Sequence, residues 1–213
     1  MSHRYKHALI IGSGEDVPSE HPPITRETVV ICADGGGKHA QKWGLTPAIL
    51  LGDMDSISPQ VYEYWKEKGV RFLEYPVHKD KTDVELGVDY AVELGVSSFS
   101  LVGVWGDRID HSLGNLELLY SLAERGMSNV MYTASAALAA FQGGFSTEID
   151  VDTTVSLIPL TQKVEGVTTS GLQYPLHQAT LEKGSTLGIS NKSIETGIDI
   201  QCSGGILLII MSK

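Results

Sequence analysis

Hydrophobic and polar positions follow two different patterns along this chain. From residue 8 to about 133, short apolar runs rich in β-branched residues alternate with segments whose apolar positions recur every three or four residues. The runs are ALII (8–11), TVVICA (28–33), AILL (48–51), VRFLEY (70–75), SFSLVG (98–103) and NVMYT (129–133). Such alternation predicts a parallel sheet covered by helices. One predicted helix, 82–94, gathers Val84, Val88, Ala91 and Val92 on one face, and the next does the same with Leu113, Leu116, Tyr120 and Ala123. A shorter one begins at Ser58 and Pro59, a cap followed by proline at the first helical position. Beyond about residue 140 the helical period disappears. Runs such as TTVSLIPL, GVTTSGLQY, ATLEKGSTL, SIETGIDIQ and GGILLIIM, broken by Gly, Pro, Ser and Asn, predict an antiparallel β-domain. The Ala-, Gly- and Ser-rich stretch 134–144 marks the boundary, giving domains 1–137 and 138–213.

In an open parallel sheet, right-handed crossovers put every strand-to-helix loop at the carboxyl edge of the strands, where ligands bind. Five such loops are expected here: GSGE, ADGGGK, GDMDS, VHKDKTD and GVWGDRIDH. They carry Asp34, Asp53, Asp55, Asp80, Asp83, Asp107 and Asp110. Helix capping accounts in part for Thr82 and Asp83, which open a capping box, and for Asp110 and Ser112 at the next helix start. It does not account for Asp53 and Asp55, because Ser58 already caps the helix that follows them. Crowded carboxylates call for a hard divalent cation, and Mg²⁺ commonly bridges such groups to substrate phosphates. Arg108 offers a planar fork for phosphate oxygens, and Lys79 and Lys81 flank Asp80; Asp107 reads as a solvated loop charge. The glycine-rich loops match neither the dinucleotide fingerprint nor a P-loop: GSGEDV lacks a third glycine, and GGGKHA lacks the Ser or Thr after its lysine. His78 and His111 fall in rim loops, whereas His3, His7, His21, His39 and His177 form no ligand-like grouping.

Charge narrows the partners. Sixteen basic against 26 acidic residues give a formal net charge of −10 without any basic cluster, which argues against a nucleic-acid backbone. The apolar run near the N-terminus is too short for a secretory segment, and ILLIIM (206–211) is too short to span a bilayer. No membrane association is expected. Cys32 and Cys202 lack the spacing of a zinc site or a disulfide framework and read as buried free thiols, which fits a cytoplasmic protein.

Taken in order, ADGG, GDMDS, KDKTD and GDRIDHSLGN, followed by GLQYPL (171–176) and GISN (188–191), resemble the thiamine pyrophosphokinase family over nearly the whole chain. The resemblance implies an N-terminal α/β domain carrying ATP and Mg²⁺, a C-terminal antiparallel β-sandwich-like domain, and a homodimer with thiamine near the subunit interface. The pyrophosphoryl group of ATP would pass to the hydroxyl of thiamine, giving thiamine diphosphate and AMP. Residue by residue, the resemblance assigns Asp53, Asp55, Asp80 and Asp83 to the metal, Asp34 to the catalytic acids with them, and Arg108, Asp110, His111 and Asn115, with Lys79 and Thr82, to ATP. Ser190 and Asn191 match the vitamin-binding segment, while Tyr174 reads equally well as core. Two departures are visible: Gly106-Asp107 stands where the family usually has two glycines, and Lys192 stands where an acid often follows Ser-Asn. Two other classes share some features. A haloacid-dehalogenase-like phosphatase also ends an apolar strand in D-x-D, and a nucleotide-sensing module would bind ATP without turnover.

Overall fold

The structure, a computed structural model, describes residues 5–212. His3 lies outside the described residues. Contacts divide the chain into two compact units, Met1–Leu118 with Met131–Ala134, and Leu119–Val130 with Ser135–Lys213.

The first unit is built on five parallel strands, β1 (His7–Ile11), β2 (Thr28–Ala33), β3 (Ile49–Gly52), β4 (Arg71–Glu74) and β5 (Ser98–Val102), in the order β5-β1-β2-β3-β4. Strands β1, β2, β3 and β5 are almost wholly buried, as expected for the middle of a parallel sheet, whereas β4 at the edge is half exposed. Helix α1 (Gly37–Lys42) follows a 3-10 turn at Asp34–Gly36 and was not anticipated; six residues are too few to show a period. Helices α2 (Pro59–Glu67) and α3 (Asp83–Glu93) start where the capping residues predict. Ser58 Oγ accepts from the Val61 N–H at 3.4 Å, and Thr82 Oγ1 from the Glu85 N–H at 3.2 Å. Trp65 of α2 is buried against Leu9, Cys32, Leu50 and Val102 in a core cluster, and its indole N–H donates to the Gly37 carbonyl at 3.0 Å. Helix α4 (Ile109–Glu124) begins in this unit, and β6 (Ser128–Tyr132) has residues in both.

The second unit contains two antiparallel sheets. One runs β7 (Ala136–Phe141), β14 (Leu207–Ser212), β9 (Thr154–Pro159) and β12 (Asn191–Lys192); the other runs β8 (Gly144–Glu148), β13 (Gly197–Gln201), β10 (Lys163–Ser170) and β11 (Ala179–Glu182). Both sheets contribute to one core: Ala139, Val155, Leu157, Leu207 and Ile209 from the first meet Val164, Val167, Leu181, Ile198 and Ile200 from the second. The sandwich-like arrangement agrees with the expected fold class. Strand β7 occupies the stretch expected to be a boundary, and β8 begins at its last residue. Tyr174 is 65% exposed, so it is not core. Both cysteines are buried and free. Among the described residues no helix is long and apolar enough to cross a membrane.

Candidate active site

The carboxyl edge of the parallel strands is shaped first by backbone geometry. Gly12 after β1 and Gly103 after β5 bring their loops into backbone contact, with the Gly12 N–H on the Val102 carbonyl and the Gly14 N–H on the Gly103 carbonyl, both at 2.8 Å. A Cβ on Gly12 would stand 2.5 Å from the Gly103 oxygen. These glycines therefore serve loop packing. Gly52, at the end of β3, has φ +140, and a Cβ there would lie 3.0 Å from Asp83 Oδ1 and 3.1 Å from Asp34 Cβ. Only glycine lets β3 end beneath these carboxylates.

Asp34, Asp53 and Asp83 each offer an oxygen, and the three atoms lie within 4.8 Å of one another. They arrive from three loops, after β2, after β3 and at the start of α3. Asp34 takes a left-handed φ of +46 and is only 7% exposed; its Oδ1 is buried without a hydrogen-bond partner. Asp83 Oδ1 is also buried without a hydrogen bond, although Lys79 Nζ lies 3.0 Å away. We read that contact as an ion pair without hydrogen-bond alignment. Lys79 Nζ also reaches Asp53 Oδ2 at 3.2 Å. Burial raises the Asp34 carboxyl above its ordinary range against the Ser56 hydroxyl, with Asp83 adding to the rise. Burial likewise raises Asp83, against the pull of Lys79. At Asp53 burial pushes the carboxyl up, but the Asp55 N–H and the Lys79 ammonium together hold it below the ordinary range.

The other candidates divide. Asp55 is exposed on the rim of the same cavity, with its N–H on Asp53 Oδ1 at 3.3 Å; Met54 between them is left-handed, φ +62. Asp80, expected to bind metal, is exposed, belongs neither to the group of three nor to the cavity walls, and sits on a bend whose neighbours Lys79 and Asp83 turn inward instead. Lys81 pairs with Asp89 at 2.5 Å and Glu85 at 3.3 Å on α3. Arg108 is held by Asp110 at 3.0 Å, with both side chains exposed, and Asp110 is in the walls of neither chamber described below. Asn115 is buried and donates to the Val104 carbonyl at 2.7 Å, so it fixes the loop after β5.

Two chambers adjoin. The acidic one, about 410 Å³, is lined by Asp34, Asp53, Asp55, Lys79, Thr82 and Asp83 among others. The second, about 550 Å³, is walled by Ser13 to Asp16, Val104 to Arg108 and Ser112, and shares Ser13, Val84, Arg108, His111 and Asn115 with the first. Its size suits a small organic ligand. Trp105 and Asp107 line it, neither of them anticipated as ligand contacts. Sequence reasoning also missed His39, which is buried, with Nε2 2.8 Å from the Gly14 carbonyl. Lys38 pairs with Glu15, and the indole of Trp43, the residue that caps α1, donates to the Ser19 carbonyl at 3.3 Å, so α1 and its cap clamp the loop after β1 at three points. The signal was a histidine and a tryptophan four apart on a helix too short to recognise.

In the second unit, Asn191 exchanges two hydrogen bonds with the Tyr174 backbone, Nδ2 to the carbonyl at 2.7 Å and Oδ1 from the N–H at 3.0 Å. Ser190 is left-handed, φ +58, with its N–H on Ser156 Oγ at 3.0 Å. Asn191 thus spends its amide holding Tyr174 in place.

The model of the thiamin pyrophosphokinase catalytic domain matches residues 23–131, and that of the thiamin pyrophosphokinase vitamin B1 binding domain matches 145–207. The chain is 30% identical over 190 residues to a thiamine pyrophosphokinase of Bacillus subtilis, covering 87% of each, and 24% identical to thiamine pyrophosphokinase 1 of Arabidopsis thaliana, covering 86% of this chain and 78% of that one. Among solved structures, thiamine pyrophosphokinase from Bacillus subtilis superposes with a TM-score of 0.88 at 27% identity, covering 98% of this chain and 99% of the other. The enzyme from Geobacillus thermodenitrificans gives 0.82 at 29%, covering 97% of both. Carrying both family domains in order on the expected fold, the chain belongs to the thiamine pyrophosphokinase family of enzymes.

Proposed function

We propose that this protein is a thiamine diphosphokinase that transfers the pyrophosphoryl group of ATP to the primary hydroxyl of thiamine. The observation that carries the reading is the convergence of Asp34, Asp53 and Asp83 within 4.8 Å beside a chamber of nucleotide size. Three hard oxygen donors, one of them a buried oxygen without a partner, fit Mg²⁺. Asp53, Asp83 and Asp34 would hold it, with Asp55 at the rim; when bound, it supplies neutralisation of phosphate charge and polarisation of the attacked phosphorus.

In this reaction the thiamine hydroxyl oxygen bonds to the β-phosphorus, the bond from that phosphorus to the oxygen shared with the α-phosphate breaks, and AMP leaves with the electron pair. The protein's part is positioning and charge. Lys79, Thr82, Arg108 and His111 line the acidic chamber and are assigned to phosphate, with Asp110 steering Arg108 and Asn115 shaping the loop. Asp34 is the group proposed to take the hydroxyl proton, because it is buried in the acidic chamber with an oxygen that has no hydrogen-bond partner. Ser190 and Asn191 are assigned to thiamine, with Asn191 acting through Tyr174, an exposed aromatic face suited to a flat cation-bearing ligand. The proposed assembly is a homodimer, supported by exposed Leu187, Ile189 and Ile194 around that segment. Cytoplasmic residence is supported by the two buried free thiols.

AMP release from ATP, measured with and without thiamine, tests the reading. Thiamine-dependent AMP is expected. Hydrolysis of phosphate esters without an acceptor would favour the phosphatase, and ATP binding without turnover would favour the sensing module. The phosphatase needs a free nucleophile at Asp53, whose oxygens are engaged by Lys79 and by the Asp55 N–H.

A further inference from the structure

The acid group already contains a cation of the protein's own. Lys79 Nζ lies 3.2 Å from Asp53 Oδ2 and 3.0 Å from Asp83 Oδ1, and its side chain keeps only 14% of its exposure. It does not saturate the group, since Asp34 Oδ1 remains buried and unpartnered. Lys81, two residues along, also lines the acidic chamber but pairs with Glu85 and Asp89 of α3, so of these two lysines it is Lys79 that engages the grouped carboxylates. The ammonium sits on a flexible four-carbon stem that rises from the irregular segment between β4 and α3.

We propose that Lys79 is the resident counter-ion of the nucleotide-free site, displaced from the two carboxylates when a divalent cation binds and handed on to the phosphate oxygens of the nucleotide. The inference rests on reading the acid group as the metal site. Its logic is charge. Three carboxylates and one ammonium leave an excess of negative charge that a divalent ion neutralises. An ammonium 3 Å from the same oxygens then faces a like charge, and the incoming polyphosphate is the new anion within reach of its stem. The lysine thus competes with the metal when nucleotide is absent and cooperates with it when nucleotide is present. A fixed structural strut would do neither.

Calorimetric titration of Mn²⁺ and Mg²⁺ into wild type, Lys79→Gln and Lys79→Arg tests this without reference to turnover. With metal alone, Lys79→Gln is expected to bind about tenfold more tightly than wild type, the size of one partly buried ion-pair interaction removed from the competition. Lys79→Arg, which keeps the charge and grips carboxylates with two N–H groups, is expected to bind metal no more tightly than wild type. With saturating metal and a non-hydrolysable ATP analogue, Lys79→Gln is expected to bind the analogue several-fold more weakly. Metal affinity unchanged or lowered in Lys79→Gln overturns the exchange while leaving the metal site standing. Absence of metal binding to wild type, with or without the analogue, overturns the metal site itself.

Discussion

Replacing Asp34 by asparagine should separate stability from function. The residue sits at φ +46, which asparagine tolerates about as well as aspartate, so the exchange brings no backbone penalty. It removes one of three carboxylates whose oxygens lie within 4.8 Å. At that separation and an effective dielectric near 20, each like-charge pair costs about 3–4 kcal/mol. Lys79 offsets a large part through its contacts with Asp53 and Asp83, so a net relief of about 1–2 kcal/mol is expected in metal-free protein. For a chain of this size that corresponds to a rise in Tm of about 3–6 °C in EDTA. Magnesium should then stabilise wild type more than the variant. Thiamine-dependent AMP formation should fall by about a hundredfold or more, the usual worth of a positioned proton acceptor. A variant that melts below wild type in EDTA, or keeps AMP formation within about threefold, would show that Asp34 is a structural turn residue.

Other consequences follow from the same geometry. Gly52→Ala should lose about 2 kcal/mol of stability by denaturant unfolding and about a hundredfold in turnover, because its Cβ would press on Asp83 and Asp34; wild-type activity in this variant would refute the packing described. His39→Ala should raise KM for ATP several-fold at nearly constant kcat by releasing the Gly14 loop, and His39→Gln, which can still donate to that carbonyl, should restore much of the loss; a change in kcat alone would count against it. Burial holds His39 below its ordinary 6.5 despite the Gly14 hydrogen bond, so the unfolded chain takes the proton first: stability is full above pH 6.5 and lost as pH falls toward the folded value, a slope that should flatten in the glutamine variant. Tyr174→Ala should raise KM for thiamine about tenfold without shifting Tm or KM for ATP, since the ring is exposed; an unchanged KM would remove it from the vitamin site.

Elements that bury a periodic face were legible in the sequence; those whose partners lie far along the chain were not. The capped starts of α2 and α3 and the β-branched runs of β1, β2 and β5 follow from local rules. The run ASAALAAFQGG reads as a domain boundary because alanine carries little strand preference, yet Ala136–Phe141 is a strand that pairs along β14 and buries Ala139, Ala140 and Phe141. Only the register with β14, some 70 positions later, makes it one. SIETGIDIQ was read as one strand, but regular pairing with β8 begins only at Gly197. In the site, all three grouped aspartates are among the rim residues named from sequence, whereas Asp80, which the resemblance of KDKTD adds to the metal set, lies outside the group. The inward turn of Lys79 left no trace in residue type, since Lys79 and Lys81 look alike until their partners are known.

The D-x-D pair shows why adjacency misleads at such a rim. In a regular strand, residues two apart would share a face, and Asp53 and Asp55 would then act as one unit. Here β3 ends at Gly52 with φ +140 and Met54 is left-handed, so the chain is no longer a strand at either carboxylate. Asp53 turns in toward Asp34 and Asp83, from loops 19 and 30 residues away in sequence, while Asp55 stays on the rim and gives its backbone N–H to Asp53. The acids that act together are thus selected by where neighbouring strands end, and the backbone at two residues without a charge, Gly52 and Met54, decides which of the paired aspartates joins them.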